Sequence, residues 1–193
     1  MANADTPFGL KPVRYLSGAP YNGAANIYTT ASGDSTAIFI GDPVTAAGTS
    51  QTVNGSIYSD VAQAATGDIV TGVVVGVIPD TDDSTIYRAG STVRRLLVAD
   101  DPNLVFEIQE VSGGTALTAA DIMLNADFVV GSGSTVTGMS GVELDNSTEA
   151  ATATLDLLIT GFVNREDNAV GEHAKWYVRL NKHQMINQAL GKA

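Results

Sequence analysis

Acid–base and metal chemistry draws first on histidine, and this chain carries two, His173 and His183. Neither has another histidine at the three- or four-residue spacing that sets two imidazoles around one ion, so each is expected at the surface or the edge of the core. There is no cysteine, which excludes disulfides, thiolate metal sites and thiol nucleophiles. The run Asp80, Thr81, Asp82, Asp83 offers oxygen atoms of the kind calcium takes, but neither the glycine nor the distal glutamate of an EF-hand follows. A solvated loop is the expectation. Asp100 and Asp101 are neighbours in a turn, whereas paired catalytic carboxylates must converge in a cleft. Gly131 to Ser134 lacks the Gly-Lys pair of a phosphate loop, and Gly138-Met139-Ser140-Gly141-Val142 lacks the last glycine of a nucleophile elbow. Asn146-Ser147-Thr148 is a formal glycosylation sequon that carries little weight without a secretion signal. Arg94, Arg95, Arg165, Arg179, Lys175 and Lys182 are scattered among acids, as cross-strand or interface ion pairs would be. No catalytic residue, cofactor, metal ligand or small-molecule substrate is expected.

The elements that surround these residues read as strands. The stretch Val93 to Val111 has two runs rich in Val, Leu, Ile and Phe around Asp100-Asp101-Pro102-Asn103, which predicts an antiparallel hairpin with a tight turn. In its second half Leu104, Phe106 and Ile108 alternate with Glu107 and Gln109, so one face is expected in the core and the other in water. Asn54-Gly55 predicts another hairpin, because both residues accept positive φ. Ile69 to Ile78 is the most apolar run and predicts a central strand, with Gly72 and Gly76 at bulges or close backbone approaches. Shorter strands are expected over Ile27–Thr30, Thr36–Ile40, Thr85–Ala89 and Asp127–Val130, with longer ones over Thr152–Val163 and Lys175–Leu180. In the last of these Trp176, Val178 and Leu180 alternate with polar residues. Thr118 and Asp121 have the spacing of an acidic capping box and predict one or two helical turns, and Asn181–Leu190 a short terminal helix.

Residues 1–25 differ from the remainder. Pro7, Pro12 and Pro20 interrupt any regular ladder, yet Phe8, Leu10, Val13, Tyr15, Leu16 and Tyr21 are too apolar for a free tail. They predict an extended arm, and Pro7, Phe8, Leu10, Val13, Tyr15 and Leu16 are the candidate interface residues. The arm lies either along its own domain or on a neighbouring subunit. Residues 26–193 then form a single β-rich domain. The expected fold is all-β, an antiparallel sandwich or barrel of jelly-roll-like type with one or two short helices.

Composition sets further limits. With 21 acidic and 10 basic residues, the net charge is −11, which repels phosphate backbones and anionic headgroups. Direct nucleic-acid binding is not expected. No apolar run approaches the roughly 18 residues of a membrane span, and the amino terminus has no signal-peptide core. The chain is read as soluble, without a membrane partner.

The segments Thr6-Pro7-Phe8-Gly9-Leu10 with Pro12 and Val13, Ile38 to Val44, and Val98 to Asn103 before Phe106 and Glu107 carry a likeness to a known group. So do Gly141 to Asp145, and Lys175 to Arg179 with His183 and Gln184. Together they resemble the head-decoration, or capsid cement, proteins of tailed bacteriophages, over most of the chain. That resemblance implies an all-β virion protein, commonly a homotrimer, on the outer surface of the mature capsid. It would be made in the bacterial cytoplasm and would clamp subunits of the major capsid protein, reinforcing the shell without catalysis. A tail, fibre or connector protein is the alternative within the virion. A small glycan hydrolase is the alternative outside it, and would require an acidic pair in a concave pocket.

Overall fold

Asn54 and Gly55 adopt φ of 52° and 82°, the positive values a two-residue hairpin loop demands. They join β3 (Pro43–Val53) to β4 (Ser56–Gln63) in antiparallel register, with Val53 opposite Ser56. This hairpin belongs to the first of two β layers in the computed structural model, which describes residues 3–186. The first layer is a closed barrel in which β2 (Asn26–Thr29), β4, β3, β5 (Gly72–Val77) and β6 (Arg95–Ala99) follow one another. The second is an antiparallel five-stranded sheet. Its order is β1 (Lys11–Tyr15), β7 (Leu104–Gln109), β12 (Lys175–Leu180), β11 (Leu157–Phe162) and β8 (Asn125–Ala126). A small ladder of β9 (Phe128–Val129) and β10 (Glu143–Leu144) completes the all-β fold.

The central-strand expectation for the apolar run around β5 holds, since β5 lies between β3 and β6 with Val73 and Val74 fully buried. A Cβ on Gly72 would stand 2.5 Å from the Ala99 carbonyl oxygen, and the register shifts just before Gly76. Only a residue without a side chain allows that approach. Inside the barrel Ile38, Val44, Val61, Val74, Leu96 and Val98 form an aliphatic core, β-branched except for Leu96. A larger core fills the space beneath the five-stranded sheet. Here Trp176, Val178 and Leu180 are buried in the alternation expected of β12, and Trp176 meets Phe162 edge-on at 5.0 Å.

Three expectations are corrected. Asp101 builds the turn as read, its Oδ1 accepting from the Asn103 N–H at 2.7 Å. However, β6 pairs with β2 and β5, while β7 pairs with β1 and β12. The turn therefore carries the chain between layers and closes no hairpin, because turn chemistry reverses a backbone without choosing its partner. Second, β7 is buried along its whole length, Glu107 and Gln109 included, so the face expected in water is covered. Third, Pro12 does not keep the first segment out of a ladder. β1 is an edge strand with Pro12 opposite Phe106 and a register shift before Arg14, and an edge strand tolerates a residue without an N–H.

The remaining elements are shorter than expected. Thr36–Ile40 and Thr85–Ala89 reduce to isolated bridges, Ile38 to Arg88 among them. Thr118 and Asp121 do form the capping box, on a single 3-10 turn, Ala119–Asp121. Residues 181–186 form bends, a bridge and a turn, and the rest of the expected terminal helix lies outside the described residues. No helix among the described residues is long and apolar enough to cross a membrane.

Candidate functional site

β7 carries the polar residues that organise one face of the molecule. Its alternation sends Phe106 and Ile108 to the core and Glu107 and Gln109 to the opposite side, where the amino-terminal segment and the 164–174 loop cover them. Glu107 accepts two hydrogen bonds from the Arg165 guanidinium, at 2.7 and 3.1 Å, and Arg165 also reaches Asp167 at 3.2 Å. This forked contact ties the loop to the sheet.

Gln109 sits at a denser junction. Its amide oxygen accepts from the Thr6 N–H at 3.1 Å. Its nitrogen donates to Glu143 Oε1 at 2.9 Å and to Asp5 Oδ1 at 3.1 Å, and faces His173 Nδ1 at 3.4 Å. Asp5, Glu143 and His173 each present a ligand-type atom within 4.8 Å of the others. His173 holds a positive φ of 60° to do so. Burial pushes the Glu143 carboxyl above its usual range, opposed by the Gln109 bond. The centre of the triad is taken by the Gln109 amide, fixed by the Thr6 contact on its oxygen. Asp5 is 63% exposed, so the group lies at a surface and not in a deep cavity. The arrangement suits a latch: the Asn3 side chain adds bonds to the Ala169 and Glu172 carbonyls, both at 2.8 Å, and pins the start of the chain to the same loop.

Sequence spacing hid this junction, because residues 5, 109, 143 and 173 come from four separate segments. The one legible signal was the pairing of Glu107 with Gln109 on a single strand face. Neither histidine behaves as a simple surface group. His173 joins the latch, and His183 is buried, its Nδ1 accepting from the Met185 N–H at 3.1 Å. The acidic loop proves to be a turn in which Ser84 Oγ accepts from the Asp80 and Thr81 N–H groups, while Asp80 pairs with Arg94 and Arg95. Lys182 bonds the buried Asp156 at 2.9 Å.

One residue beyond β7, Glu110 is fully buried and accepts from Trp176 Nε1 at 2.7 Å. Its other oxygen, like Asn146 Oδ1, has no partner among the described residues. Burial is the main force on this carboxyl and pushes it up to about 7, against the bond from Trp176.

The six arm residues divide. Leu10 is 1% exposed and belongs to the larger core, its N–H bonded to the Gly41 carbonyl at 2.9 Å. Pro7, Phe8, Val13 and Tyr15 are half-buried, and Leu16 is exposed. Of the two destinations open to the arm, residues 3–15 lie along their own domain.

The most exposed element is the distal part of the β3–β4 hairpin. No residue from 45 to 59 is buried, and Ile57 near the tip is 77% exposed. No charged residue occurs between Asp42 and Asp60. On one side β4 meets β2 only at the Thr29–Asp60 bridge, and a cleft of about 590 Å³ lies between the two strands. Comparison with known proteins returns no match, whether to a protein-family model, a curated protein or a solved structure.

Proposed function

We propose that this chain is a head-decoration protein of a tailed bacteriophage, binding the outside of the mature capsid as a homotrimer and bracing contacts between major capsid protein subunits. The resemblance of its sequence segments suggests the class. The observation that carries the reading is the uncharged ribbon over residues 45–59, in which every residue is exposed or half-buried. A two-stranded ribbon gains little stability alone in water, and an exposed strand edge without charges is an adhesive surface. Its retention on a chain of net charge −11 is explained if a partner covers it. A body of two packed β layers supplies the stiffness a brace needs, and several copies on a lattice multiply weak contacts by avidity.

The test uses phage heads lacking the protein. Such heads should fail at lower temperature or milder osmotic shock, and adding the purified chain should restore them. Reconstructed density at positions away from the head lattice would instead select a tail, fibre or connector role. No effect on heads and no head-bound density would refute the decoration reading.

A further inference from the structure

We infer that the cleft between β2 and β4 is a strand-addition site, filled on the capsid by one extended, uncharged or basic segment of the shell subunit. This rests on the decoration reading and specifies its contact. The two strands run parallel and pair in register only at Thr29 and Asp60, where Thr29 Oγ1 also reaches the Tyr58 and Ser59 carbonyls at 3.5 and 3.4 Å. Toward their amino-terminal ends, Ala25 to Tyr28 line one wall of the cleft and Ile57 to Ser59 the other. β2 spends its other edge on β6, and β4 its other edge on β3. Away from the Thr29 contact, the alternate backbone N–H and C=O groups that each strand does not spend on its paired neighbour face the same gap. A strand entering there would gain ladder bonds on both sides and complete the barrel wall, which an edge-on addition cannot do.

Side chains and charge select the occupant. Ile57 and Ile27, 77% and 38% exposed, offer apolar contact to alternate residues of an incoming strand. The lip carries Asp100, which accepts from Asn26 Nδ2 and Tyr28 Oη, and Asp101 follows it. With a net charge of −11, a second copy or any acidic segment is repelled, whereas a neutral one is unopposed and a lysine-bearing one is drawn in. Natural sheets guard free edges with charge or proline. Neither occurs from Val44 to Ser59, and the one irregularity there is the register shift between Ala46 and Ser50.

The experiment compares wild type with the double variant Ile27→Lys, Ile57→Lys for binding to heads that lack the protein, with light scattering to record oligomeric state. Both side chains are exposed, so the fold should tolerate them. The site predicts at least a tenfold loss of head affinity with the oligomer unchanged. Hydrogen exchange on the wild type, free and head-bound, gives a second measure: amides of Asn26–Tyr28 and Ile57–Ser59 should become protected on heads. Undiminished binding by the variant, or unchanged exchange at these amides, overturns the site while leaving decoration intact. Loss of oligomer in the variant overturns it in favour of a second copy. Failure of wild type to bind heads overturns the decoration reading and the site with it.

Discussion

Replacing Glu110 by glutamine should make the protein more stable at neutral and alkaline pH and leave it nearly unchanged in acid. The carboxyl is fully buried and is held at about 7 in the folded chain, against an ordinary value of 4.5. Because the folded value is raised, the folded state binds the proton more tightly than the unfolded chain. The carboxyl's favourable contribution is complete below about 4.5 and is lost as pH rises through about 7. At about 1.4 kcal/mol per tenfold in proton affinity, the loss at pH 8 is about 3 kcal/mol. Glutamine keeps an oxygen for Trp176 Nε1, with no charge to desolvate. Urea unfolding of both proteins at pH 4.5, 6, 7 and 8 measures the difference directly. The variant should gain up to about 3 kcal/mol at pH 8, a rise in Tm of about 8 °C for a chain this size, and almost nothing at pH 4.5. Taking the difference between the proteins cancels every other titrating group. A difference that is flat across this range would refute the argument that a buried charge at Glu110 opposes folding.

Three further outcomes are expected. Leu10→Ala should destabilise the isolated chain by about 3 kcal/mol in urea melts, since Leu10 packs in the core; an arm serving only a neighbour would leave the isolated stability untouched. Arg88→Leu should cost at least about 3 kcal/mol, because the fully buried guanidinium bonds Thr30 Oγ1, the Ala31, Thr36 and Thr92 carbonyls and Asp34, and wild-type stability would show that these loops hold without it. His183→Gln should flatten an opposite pH dependence: burial lowers the imidazole below 6.5, so its neutral form stabilises above that pH and the benefit is lost as pH falls, measurable as a variant that gains on wild type in melts below pH 6.

The residues alone determine this protein wherever one physical requirement is local. Asn54-Gly55 demands positive φ, Thr118 and Asp121 close a cap over three residues, and the two-residue period around Trp176 separates a buried face from a half-buried one. Gly72 marks a close backbone approach and Gly76 a register shift within an apolar run. What the tertiary structure decided is which edges and faces meet. Asp101 turned the chain as its side chain requires, but β6 and β7 went to different layers, because each apolar face finds its cover across the whole molecule and not beside its turn. The polar face of β7 reads as solvent-exposed until residues 3–15 and the 164–174 loop fold over it. The latch of Asp5, Gln109, Glu143 and His173 exists only in that covering, since its members share no spacing. Backbone conformation follows from neighbours in sequence, whereas burial and pairing follow from neighbours in space.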